Sequence, residues 1–150
     1  MKHKIVLISA LPALLLASAG FAAGAPDAGM NPGSSGMDVS KEISTALTHA
    51  QMSASSGDIK MVHEHMQHVV NCLVGPQGPE YDANAEDPCK GMGKGAMNDV
   101  DSKSAQHKKL DKALTEAKDS LKKDSVKGAQ GEAKDVVKYL QDAQEAKPNS

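Results

Sequence analysis

A chain of 150 residues with 17 basic and 19 acidic side chains carries a net charge of -2, which gives nucleic acid no electrostatic footprint to bind. With no Trp, two Tyr and one Phe it also lacks the aromatic platforms on which bases and sugars stack. The residue types with distinctive chemistry that remain are two cysteines, six histidines and eight methionines.

Residues 1–23 read as a secretory signal. Lys2 and Lys4 form a charged start, Ile5 to Leu16 an unbroken apolar run, and small residues follow from Ala17 to Ala23, with cleavage expected after Ala19, Ala22 or Ala23. The apolar run falls short of the ~20 residues that span a bilayer. The mature chain is therefore expected to be exported, periplasmic or secreted, with 15 basic against 19 acidic side chains and no membrane span. Residues 24–38, rich in Gly, Pro, Ser and Ala, read as a flexible leader.

The first predicted helix starts at Asp38 or Ser40, either of which can cap it, and places Ile43, Leu47, Ala50 and Ala54 on one apolar stripe. Ser55, Ser56, Gly57 and Asp58 break it. The second helix runs to Leu73, with Ile59, Val62, Met66, Val69, Val70 and Leu73 inward. Residues 75–101, rich in Gly, Pro, Asn and Asp, are expected to form a long loop without regular structure. Such a loop in a compact domain is functional or tied down. Cys72 and Cys89 supply the tie, because two cysteines in an exported chain read first as a disulfide. A thiolate metal ligand or reactive thiol is the competing reading, disfavoured by spacing that is not CxxC.

The third helix places Leu110, Leu114, Ala117 and Leu121 inward. Asp124 or Ser125 resets the chain, and the fourth buries Val126, Ala129, Ala133, Val136, Val137 and Leu140. Residues 46–73 and 113–140 align without a gap at an offset of 67, agreeing at 9 of 28 positions, which reads as a duplicated helical hairpin. The fold class expected is all-α: an up-down-up-down four-helix bundle over 39–146, built of hairpins 39–74 and 102–146 joined by the stapled loop. A monomer or a dimer that pairs hairpins from two chains satisfies this pattern.

Five histidines lie beyond the signal, and four of them, His49, His63, His65 and His68, fall in the first hairpin. In the second copy His49 is matched by Glu116, His65 by Glu132 and His68 by Asp135, so imidazole gives way to carboxylate on one helical flank. At about 100° per residue, His49 on one helix and His65 and His68 on the next share a flank and meet across the hairpin if its handedness joins these flanks. Met61, at i-4 from His65, is the natural further ligand, whereas His63 points to the opposite flank. Imidazole suits copper, zinc and nickel, and thioether suits Cu(I). The expected metal site is therefore His49, His65, His68 and Met61, holding copper or another divalent transition metal. The Met residues in MNPGSSGM and GMGKGAM are softer candidates whose simplest account is incidental placement.

No CxxCH, HExxH, paired ExxH, GxSxG or phosphate loop is present, so neither catalysis nor haem is expected. The lysine pairs at 108–109 and 122–123 read as a solvated face balanced by carboxylates.

Through ALTHAQMSASSGDIKMVHEHMQHVVN the chain resembles the small metal-binding protein family of exported, His-rich four-helix bundles. The resemblance covers roughly residues 40–73 and 105–144. It implies periplasmic binding of divalent metals, copper above all, and touches His49 in LTHA and His65 and His68 in VHEHMQHV. The second hairpin departs from the pattern, with Glu116 in LTEAKDSL where the family has His, and the cysteine-bearing loop is foreign to it. The alternative function is a non-catalytic envelope module that contacts another protein and whose histidines are merely solvated.

Overall fold

The computed structural model describes residues 38–146. The expected signal, the leader through residue 37 and the tail 147–150 lie outside the described residues. Among these the chain is all-helical and has no strand. Its helices are α1 (Val39–Ser55), α2 (Ile59–Val74), α3 (Ala96–Asp99), α4 (Ala105–Leu121) and α5 (Val126–Glu145). None is long and apolar enough to cross a membrane.

Each long helix starts where a short polar side chain accepts from a first-turn N–H that has no partner within the helix. Asp38 accepts from Lys41, Asp58 from Met61, Ser104 from His107 and Ser125 from Gly128. α1 packs on α2 and α5, and α4 packs on α5 and α2. Ile43, Met66, Leu73, Leu110 and Leu140 supply the largest fully buried apolar side chains of the core between them.

The apolar stripes are rotated from the expected ones. In α1, Ile43, Ala46, Ala50 and Ser53 are fully buried, while Leu47 and Ala54 are only partly so. In α4, Leu110, Ala113, Ala117 and Ser120 are buried, and Leu114 and Leu121 lie at the margin. Small side chains take the line of closest helix approach, and the leucines flank it. A serine can hold such a place because its hydroxyl finds a carbonyl: Ser53 Oγ donates to Val62 O at 2.8 Å, and Ser120 Oγ donates to Ala129 O at 3.0 Å. These two bonds stand at matched positions of the 67-residue offset. So does a second, reciprocal pair. His63 Nε2 lies 3.0 Å from Lys123 O in the α4–α5 turn, and Gln130 Nε2 donates to Ser56 O in the α1–α2 turn at 2.7 Å. Each helix pair thus satisfies a carbonyl in the other pair's turn.

The segment from 75 to 101 is fastened to α2 at several points. The Cys72–Cys89 disulfide is formed, with Cα atoms 5.2 Å apart. One residue earlier, the buried Asn71 donates from Nδ2 to Asp82 O and Glu86 O at 3.0 and 3.2 Å, and its Oδ1 accepts from Asp82 N at 3.0 Å. α2 stops at Gly75, whose φ of +68° and close approach to Lys94 O leave no room for a Cβ. The expectation that the whole segment lacks regular structure is corrected by α3, a single turn. Asn98 fixes that turn by donating to Val74 O at 2.8 Å and Lys94 O at 3.0 Å. A side-chain amide thus does locally what no apolar period announced.

Candidate metal centre

Packing of α1 on α2 brings His49, His65 and His68 together: each offers a ring nitrogen, and the three nitrogens all lie within 4.8 Å of one another. Their ring centroids are 4.9 to 5.8 Å apart, and His49 Nδ1 and His68 Nδ1 approach to 3.2 Å. His68 is buried, and His49 and His65 are half-buried. His65 Nδ1 is buried with no hydrogen-bond partner among the described residues. A buried ring nitrogen without a partner loses its hydration for nothing unless something else satisfies it.

Burial favours the neutral form of His49 and His68. Burial lowers the His49 pKa below the usual imidazole range, and the neighbouring His68 and His65 rings lower it further, against the opposing pull of Glu86. Burial likewise lowers His68, which Glu86 and Glu64 oppose and His65 reinforces. Neutral imidazole is the form that ligates a metal.

Ring nitrogens bound at about 2.0–2.1 Å in a tetrahedral shell sit about 3.3 Å from one another. The His49–His68 separation already matches that spacing, and modest side-chain rotation brings in His65. Met61, the fourth expected ligand, sits one turn before His65 on α2 and is 40% exposed. His63 faces away, held at Lys123 O. His107 lies at the start of α4, where its N–H is bound to the Ser104 cap. Cys72 and Cys89 are committed to their disulfide and offer no thiolate.

The matched positions in the α4–α5 pair hold a second convergence, of Glu116, Glu132 and Asp135, whose carboxylate oxygens lie within 4.8 Å of one another. Its character is different. The Glu116 carboxyl is raised, first by burial, then by its hydrogen bond to Glu132 and by the negative charges of Glu132, Asp135 and Asp119. Lys123 Nζ lies 2.8 Å from Glu132 Oε1 and offsets part of that charge. Lys122 pairs with Asp119 at 2.8 Å, as the reading of a charge-balanced lysine face expects.

No sequence pattern announces a third feature. Glu42, on α1, is 1% exposed beside the fully buried Ile43. A charged residue next to Lys41 reads as solvated, and the path of the distant loop, through Gly95, covers it.

No family model matches this chain, and neither a curated protein nor a solved structure is similar enough to count as a match.

Proposed function

We propose that the protein is an exported metal-binding module that holds copper or another divalent transition metal through His49, His65 and His68, for sequestration or delivery. The observation that carries this reading is the convergence of three ring nitrogens, on histidines of which His65 has a buried Nδ1 without a partner among the described residues, and burial favours the neutral form of His49 and His68. Met61 serves as a supplementary ligand from the exposed side. No catalytic role forms part of this reading.

The scaffold in this reading is an up-down-up-down four-helix bundle of two duplicated hairpins. Support for duplication comes from the matched burial of Ile43 with Leu110, Ala50 with Ala117, Val69 with Val136 and Leu73 with Leu140, and from the paired serine and turn bonds. A disulfide fits an oxidising compartment such as the periplasm, in line with the signal read at residues 1–23. The weak family resemblance of the first hairpin points the same way.

Isothermal titration of the mature protein with Cu(II), Ni(II) and Zn(II), beside the His49→Ala and His65→Ala variants, is the test. One site tighter than about 100 μM, lost in both variants, is the expected result. Weaker binding, or affinity unmoved by both substitutions, would instead favour an envelope interaction module with solvated histidines.

A further inference from the structure

The loop between α2 and α4 closes over a second place where charge is buried without compensation. Glu42 Oε1 accepts from Gly95 N at 3.1 Å, but Oε2 is buried and has no partner among the described residues. Asp99, at the end of α3, repeats the arrangement: Oδ2 accepts from Lys94 N at 2.7 Å, and Oδ1 is buried without a partner. No lysine or histidine nitrogen pairs with either carboxylate among the described residues.

Gly93 shows how close the two groups come. A Cβ placed on it would sit 2.1 Å from Asp99 Oδ2 and 2.6 Å from Glu42 Oε1, so these oxygens are at most 4.7 Å apart. Any side chain here would fill the space between the carboxylates. On its other side Glu42 lines a cavity of about 250 Å³ under the loop, shared with Asp87, Tyr81 and the Cys89 wall.

We propose that Glu42 and Asp99 are ligands of a hard divalent cation of the Ca²⁺ class, bound where the loop folds onto α1. Such a cation takes oxygen ligands at about 2.3–2.6 Å, so two oxygens that share it lie within about 5 Å of each other, as these do. Carboxylates are among the oxygen types it prefers, and Glu42 of α1 and Asp99 of α3 supply them. The negative surroundings add attraction: the charges of Asp99, Asp38 and Asp87 act on the Glu42 carboxylate, and a bound cation offsets them. The site shares no residue with the histidine group, and the all-oxygen donor set separates the two by metal hardness.

The test uses the mature protein at pH 7.5, titrated with CaCl₂ and followed by calorimetry and thermal unfolding, beside Glu42→Gln, Asp99→Asn and the His49→Ala/His65→Ala double variant. The expected result is one saturable Ca²⁺ site and a Tm rise of about 5 °C at ten times the dissociation constant. The affinity should drop at least tenfold in Glu42→Gln and in Asp99→Asn and remain unchanged in the histidine variant. Should Glu42→Gln fail to fold, Asp99→Asn carries the comparison alone. Failure of wild type to respond to about 10 mM Ca²⁺ overturns the proposal, as does an affinity untouched by the carboxylate substitutions. A Glu42→Gln protein that melts above a Ca²⁺-insensitive wild type also overturns it, since the pair then holds a proton in place of a cation.

Discussion

The two helix pairs place side chains at equivalent points and then diverge in chemistry. His49, His65 and His68 converge on α1 and α2, and Glu116, Glu132 and Asp135 converge at the matched positions of α4 and α5. In the first group burial lowers the proton affinity of His49 and His68, favouring neutral nitrogen ligands. In the second, burial and mutual repulsion favour keeping a proton on Glu116, while Lys123 neutralises Glu132. The scaffold therefore sets where three side chains meet, and residue type decides whether the meeting place suits a soft or borderline metal or internal salt bridging. Ligand chemistry can change at one place while the core, with leucine or valine at 73, 69, 140 and 136, stays closed.

The largest effect should come from removing the histidines. The His49→Ala/His65→Ala double variant leaves one imidazole and should lose at least a thousandfold in Cu(II) affinity, roughly 4 kcal/mol, with little change in Tm without metal. Calorimetry and melting curves measure both, and a variant that binds as wild type does removes the distinction between the two helix pairs.

Next is the staple. Replacing Cys72 and Cys89 by serine frees the loop across a separation of 17 residues, and the chain-entropy argument puts the loss near 3 kcal/mol. Denaturant unfolding should show that loss, and a change below about 1 kcal/mol would mean that the Asn71 bonds hold the loop unaided.

Proton competition should come third. With His49 and His68 lowered in the folded chain, both are neutral at pH 7, and metal affinity should fall by tenfold or more from pH 7 to pH 5. Without metal, the same lowered values mean that the unfolded chain takes up protons first. The stability contributed by the neutral rings is present above about pH 6.5 and declines as pH falls below it. Glu42 acts in the opposite sense: raised to about 7, it contributes stability that is full below about pH 4.5 and lost as pH rises through 7. Melting curves of His68→Ala and Glu42→Gln across pH 4–8 should separate the two opposing slopes.

The smallest effect belongs to the reciprocal turn bonds. His63→Ala and Gln130→Ala should each cost about 1 kcal/mol and leave metal affinity unchanged. A drop in affinity in His63→Ala would place that residue in the site after all.

Much of this arrangement is legible in the residues themselves. The helix breaks follow from Asp58 and Ser125, the disulfide from two cysteines in a chain read as exported, and the meeting of His49 with His65 and His68 from helical angle together with the hairpin handedness that joins their flanks. What the sequence conceals is set by tertiary approach. Apolar periodicity picks Leu47 and Leu114 as core, yet Ala46 and Ala113 are the fully buried positions and the two leucines pack beside them. Ser53 and Ser120 read as polar surface until their carbonyl partners nine residues on are known. The burial of Glu42 depends on Gly95, a residue 53 positions away, which no local pattern encodes.

The central claim is that imidazoles of the first helix pair are the metal ligands, and electron paramagnetic resonance of the Cu(II)-loaded mature protein addresses it most directly. The account predicts superhyperfine splitting from two or three equivalent nitrogens in wild type, reduced stepwise in His49→Ala, His65→Ala and His68→Ala. It also predicts that a Glu116→His/Glu132→His/Asp135→His variant binds a second equivalent of Cu(II) with a like spectrum. A spectrum with oxygen ligands alone, or one unchanged across the three alanine variants, would contradict it.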